Sequence, residues 1–176
     1  CSPAWAGAPS YIQEAETVWN TRPASLTTAS FSVVSGDVLV AFAGCEDSAN
    51  CNAIAISDNT ATSANWASRQ TVSVTSFTEV YIWTKAVTAT ESMTTTFTKT
   101  ATDCGGVACY YGGNVLTFRG SDGIGGTGVK GNAADTAPST NITTTQANSA
   151  VVLAWCDWEA AGTAATWRTN AGAFTP

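Results

Sequence analysis

Two pairs of carboxylates are the residues of this chain whose spacing comes nearest to catalysis. Glu14 and Glu16 lie two apart in "YIQEAETVW", and Asp157 and Glu159 lie two apart in "WCDWEA". Residues i and i+2 of a strand share a face. A β-sandwich glycosidase needs two acids facing each other across a groove, one to protonate the leaving oxygen and one to attack or to activate water. Trp155, Trp158 and Trp167 would supply sugar platforms, because aromatic faces stack on sugar rings. The competing reading makes these acids solvated strand-edge charges that discourage edge aggregation. We adopt the second reading, so no catalytic residue is assigned and the chain is read as a non-enzyme.

Other chemistry is thinner still. The chain contains no histidine, which removes the usual general base, a common metal ligand and every Ser–His arrangement together. No G-x-S-x-G occurs. The Gly-rich stretch "GIGGTGVKG" lacks the Gly-Lys-Ser/Thr ending of a phosphate cradle and does not join a strand to a helix, so it reads as a surface loop. Glu46, Asp47, Asp58 and Asn59 lie on two neighbouring loop-like stretches and are oxygen ligands of the kind calcium prefers. Their spacing fits no calcium loop, and turn formation by Asp and Asn explains them. No metal and no cofactor is assigned.

The six cysteines point to the compartment. Cys45 and Cys51 fall in "GCEDSANCN", and Cys104 and Cys109 in "DCGGVAC", both polar stretches between strand-like runs. Disulfides stapling two loops are expected there, and they imply an oxidising environment. Cys1 and Cys156 remain. Either they pair, tying the N-terminus to a late strand, or Cys1 carries a lipid of the bacterial lipoprotein type. Of the seven tryptophans, Trp66, Trp83 and Trp155 lie among apolar neighbours and are expected in the core. Trp5, Trp19, Trp158 and Trp167 lie near the two ends and are candidates for stacking on sugar or contacting another subunit. Asn141 begins "NIT", an acceptor pattern for N-glycosylation.

The elements that must position these groups are strands. Helical periodicity is nearly missing, and short alternating runs recur with turn clusters between them. The runs are "YIQEAETVW", "LTTASFSVV", "DVLVAFAG", "NAIAISD", "WASRQTVSV", "TEVYIWTKAV", "MTTTFTKT", "NVLTFRG", "TNITTTQ", "SAVVLAWCDW" and a weak "ATWRT". "DVLVAFAG" is apolar almost throughout and reads as a central strand buried on both faces. Ser35-Gly36 is the turn that feeds it. In "TEVYIWTKAV", Tyr81 and Trp83 oppose Val80, Ile82 and Thr84; in the Thr-rich run Met93, Thr95 and Phe97 share a side. The fold class expected is all-β, a two-sheet antiparallel β-sandwich of about ten short strands with disulfide-stapled loops. No internal repeat and no linker divides residues 1–176, which are read as one domain.

Composition bounds the partners. Of 176 residues, 44% are apolar and only 11% charged, against roughly 25% charged in an ordinary soluble domain. Hydroxyls and amides must therefore keep the surface wet, and threonine alone fills 29 positions. Seven basic and 13 acidic side chains leave a net charge of −6. Without a basic footprint, nucleic acid and anionic membrane surfaces are excluded as partners. No apolar run reaches the roughly 18 residues of a membrane span.

Taken together, "SGDVLVAFAG", "AISDNTATSANWAS", "YIWTKAVTATESMTTTFT", "TAPSTNITTTQANSAVVLAWCDW" and "ATWRTNAGAFT" resemble a jelly-roll, lectin-like sandwich module of bacterial and phage surface proteins. The resemblance runs over nearly the whole chain. It implies a jelly-roll-like fold and an extracellular or cell-surface setting, and transfers no catalytic residue. Modules of this kind continue past a phrase like "AGAFT" into closing strands. Here the sequence stops at Pro176, so either it is incomplete or another copy supplies the pairing. The expectation is a secreted, glycosylated structural protein forming a filament, pilus-like fibre or surface assembly by strand-mediated head-to-tail contacts between copies. Segment 1–19 is the candidate donor-type strand. The alternative is a carbohydrate-binding or adhesin module, including a phage fibre or decoration protein.

Overall fold

The computed structural model describes residues 8–17, 24–46, 54–62, 65–74, 78–99, 111–128, 140–144 and 148–154. Among them there are ten strands and no α-helix, hence no helix long and apolar enough to cross a membrane. They are β1 (Ser10–Glu16), β2 (Ser25–Thr27), β3 (Phe31–Val33), β4 (Val38–Glu46), β5 (Ile54–Asp58), β6 (Ala67–Val74), β7 (Thr78–Ala86), β8 (Glu91–Met93), β9 (Thr95–Lys99) and β10 (Tyr111–Arg119).

The apolar run "DVLVAFAG" becomes β4, the middle strand of a five-stranded antiparallel sheet ordered β1-β10-β4-β7-β6. Its position follows from its composition. A strand with a neighbour on each side and cover on both faces can be apolar at every residue without exposing any of them. The Ser35-Gly36 turn before it closes with Asp37 N–H donating to Val34 O at 3.1 Å. Leu39, Ala41, Ala43 and Cys45 point inward and are fully buried. Tyr81 and Trp83 of β7, stacked with ring centroids 5.4 Å apart, point the same way.

The opposing layer holds β2-β9-β5 and β3-β8. It contributes Phe31, Val33, Ile54, Met93 and Phe97 to a core shared with the five-stranded sheet. The arrangement is sandwich-like. One close approach fixes the spacing at its centre: a Cβ on Gly113 of β10 would lie 2.5 Å from the Phe97 ring, so only glycine fits opposite this buried phenylalanine.

Two runs read as single strands are each divided. "LTTASFSVV" is β2 and β3, while the facing stretch is β8 and β9. Thr28 N–H donates to Thr95 O at 2.9 Å and Thr95 N–H to Thr28 Oγ1 at 3.0 Å across the break. Leu26 opposes Phe97 and Phe31 opposes Met93, which leaves one extra residue on the β2–β3 side. That bulge lets Leu26, Thr28, Phe31 and Val33 all face the core, which uninterrupted alternation forbids.

The larger correction concerns the late strands. "TNITTTQ" and "SAVVLAWCDW" were expected as strands, yet residues 140–144 and 148–154 form none. Asn148 adopts φ 61° immediately before the apolar stretch, a left-handed conformation that breaks an extended run. "ATWRT" lies outside the described residues.

Candidate functional site

The outer face of the five-stranded sheet is the surface to which the sequence commits most without an obvious structural need. Register places Leu116 beside Val40, and Phe42 beside Ile82, with Phe118 beside Val38. Val38 and Val40 are buried here, while Phe42, Ile82, Leu116 and Phe118 are half-buried. The cover comes from the Gly-rich loop 120–128 and from residues 142–144 and 148–152. Between them and the sheet lies a cavity of about 410 Å³ with Val38, Val40, Ile82 and Phe118 in its lining.

The loop read as a plain surface connection is therefore a wall. Gln70 Nε2 donates to Thr127 Oγ1 at 2.9 Å, tying it to β6. Gly126 lies so close to Thr143 O that a Cβ there would sit 2.5 Å away. Arg69 is also in the lining; its Nε donates to Thr84 Oγ1 at 2.7 Å.

The two edges of this sheet differ. β1 exposes Tyr11 (55%) and Ile12 (39%). Glu14 and Glu16 are exposed on its outer face, opposite Leu116 and Asn114. β6 carries exposed Ser68, Thr71 and Ser73 with Arg69 as its one charge. Both edges have a register shift, between Tyr11 and Gln13 on β1 and between Ser68 and Gln70 on β6. Such irregularities twist an edge and limit indiscriminate pairing.

Charges inside the fold are committed to structure. Asp58 and Lys85 form an ion pair at 2.5 Å with both side chains essentially inaccessible. Asp58 also accepts Trp66 Nε1 at 2.7 Å and Thr60 N at 2.8 Å. Lys85 further donates to Thr62 O at 2.9 Å. Burial pushes the Asp58 pKa up, and hydrogen bonds from Lys85, Thr60 and Trp66 outweigh it, leaving the group below its ordinary value. Asp37 accepts Arg119 through both oxygens, at 2.8 and 3.0 Å, and Val34 N at 2.9 Å. The Arg119 hydrogen bond lowers its pKa; burial opposes this, and the Val34 N–H adds to the lowering. Lys99 is buried with its ammonium 5.1 Å from the Tyr111 ring centre. Burial pushes the Tyr111 hydroxyl up to about 12.

These contacts agree with the turn reading of Asp58 and Asn59. Asp58 is already neutralised by Lys85, and Asn59 Oδ1 accepts Thr94 N at 2.8 Å, so both serve the turn. The Glu46 side chain and Asp47 lie outside the described residues. So do Asp157 and Glu159, so only Glu14 and Glu16 of the carboxylate pairs can be placed, on an exposed edge strand and not in a groove. Trp5, Trp19, Trp155, Trp158 and Trp167 lie outside as well. Trp83 is in the core and Trp66 packs against it. Asn141 is exposed. Cys45 is disulfide-bonded, while Cys1, Cys51, Cys104, Cys109 and Cys156 are outside the described residues. Segment 1–19 includes β1, and Ser10–Glu16 pairs with β10 of its own chain.

Arg69 and the buried Lys85 were not singled out from the sequence. The signal for Lys85 was present, because it continues the inward alternation of Tyr81 and Trp83. No protein-family model matches the chain, and no curated protein or solved structure matches it.

Proposed function

We propose that the protein is an extracellular structural subunit without catalytic activity, assembling head-to-tail through strand edges into a filament, pilus-like fibre or other surface assembly. The observation that carries this reading is β1. It ends the five-stranded sheet with no strand beyond it among the described residues, and it exposes Tyr11 and Ile12 there. Unpaired backbone groups beside exposed apolar side chains are what a further strand would cover. A disulfide at Cys45 fits an oxidising exterior. The low charge and threonine-rich surface fit a subunit that packs against copies of itself, and the jelly-roll resemblance fits a surface protein. Electron microscopy with sedimentation velocity over a concentration series tests it. Concentration-dependent particles longer than one subunit are expected; strictly monomeric protein at high concentration overturns the reading.

A second reading, a carbohydrate-binding or adhesin module, is favoured by the cavity of about 410 Å³, a size in the range of small-ligand sites. Its lining sets the Phe118 ring beside Gln70, Thr127 and Asn148, an aromatic face with the amide and hydroxyl groups that bind a sugar's hydroxyls. Trp158 and Trp167 are the aromatic candidates. A glycan array run with Trp158→Ala and Trp167→Ala discriminates: binding that survives both changes counts against sugar stacking by these residues.

A further inference from the structure

The two edges of the five-stranded sheet are chemically unlike, and the difference selects a partner. β1 carries two carboxylates, Glu14 and Glu16, both exposed on the outer face. β6 carries Arg69, exposed at its register shift and turned onto the same outer face, where its Nε meets Thr84 Oγ1. The ion pairs among the described residues are Asp58–Lys85 and Asp37–Arg119, and Arg69 has no carboxylate partner among the described residues.

Resting on the assembly reading above, we propose that β1 of one copy adds to β6 of the next, so that the sheet continues from subunit to subunit with Glu14 and Glu16 facing Arg69. Three arrangements of edges are available to identical copies. Pairing β1 with β1 would bring four carboxylates together, and pairing β6 with β6 would oppose two guanidinium groups. Like charges across a strand pair are destabilising. Only β1 with β6 joins opposite signs.

The geometry agrees. Five strands that are all antiparallel to their neighbours make β1 and β6 run in the same direction. A translated copy therefore meets β1 with a parallel β6 and keeps the outer face on the same side, which is where all three charges lie. Register puts Glu14 and Glu16 of β1, and Gln70 and Val72 of β6, on the outer face, so setting Glu14 beside Gln70 and Glu16 beside Val72 keeps the faces matched and brings Arg69, the neighbour of Gln70, to the carboxylates. A contact between two different surfaces does not close on itself, and the right-handed twist of strands carries successive subunits around an axis. The product is a helical filament and not a two-fold dimer.

Charge reversal tests the pairing. Arg69→Glu makes both edges acidic, and the double change Glu14→Lys with Glu16→Lys makes both basic. Each variant alone is expected to associate at least about tenfold more weakly than the wild type by sedimentation velocity. An equimolar mixture of the two is expected to recover assemblies of alternating subunits. All three side chains are exposed, so melting temperatures should stay near the wild-type value, and this checks that the variants are folded. If the wild type assembles and the reversed variants assemble as well as it does, β1–β6 pairing is wrong while assembly stands. If the variants are impaired and mixing fails to rescue them, the charge pairing is likewise overturned. A wild type that stays monomeric removes the assembly reading itself, and the pairing with it.

Discussion

On the inner side of β4, Leu39, Ala41, Ala43 and Cys45 are wholly covered; on its outer side Val38 and Val40 are covered while Phe42 is only half-buried. The same contrast runs across the sheet. The inner face of β7 can bury even a lysine, because Asp58 reaches Lys85 from the opposing layer. The outer face of β7 presents Ile82 to a cavity. One face is complete and tolerates charge only when it is paired. The other is apolar and incompletely filled. Stability belongs to the first; the second, with the edges that border it, is the surface on which the proposed recognition of copies or ligands would act.

The largest expected effect is on the inner face. Lys85→Met strands the Asp58 carboxylate away from water and should cost about 3–5 kcal/mol in urea unfolding. Adding Asp58→Leu to it should recover most of that loss. A single change costing no more than an exposed substitution would break the contrast between the faces. Gly113→Ala drives a methyl into Phe97 and should cost about 1–3 kcal/mol, read by the same unfolding curves.

The acid response comes next. Asp37 and Asp58 both have pKa values lowered from 3.8. Each therefore binds protons more readily when unfolded, and its contribution is fully present above about pH 4 and lost as pH falls through the lower folded value. Asp37→Asn should accordingly be less stable than the wild type at neutral pH, with the gap closing as pH falls below about 4. A gap that widens in acid would reverse the assigned sign. The smallest effect belongs to the outer face: Leu116→Gln should cost under about 1 kcal/mol. A loss as large as that of Gly113→Ala would mean that both faces serve the core alike.

Much of the architecture was legible along the chain. The alternation in "TEVYIWTKAV" correctly divided Tyr81 and Trp83 from Val80 and Ile82, and the unbroken apolar run correctly marked β4 as central. The break near Thr28 was not legible, because Leu26, Thr28 and Phe31 fit a single alternating strand only if one residue is left unpaired, and the partner strand decides that. The run "SAVVLAWCDW" has strand composition, but Asn148 takes a left-handed backbone just before it, and residues 149–152 lie over the outer face of the sheet instead of in a ladder. Asp58 and Asn59 were legible as turn residues, but not what they bond to. Their partners, Lys85 and Thr94, lie 27 and 35 residues away in sequence.

By itself the sequence determined the all-β class, the buried and exposed alternation of strands such as β7, and a low charge content. These follow from period-two patterning and composition, which are local properties. The tertiary structure alone decided which strands are neighbours, that Lys85 meets Asp58, that β1 and β6 are the outermost strands of their sheet among the described residues, and that Glu14, Glu16 and Arg69 share one face. Those are contacts between distant segments, fixed by register and layer packing, and no window along the chain contains both partners.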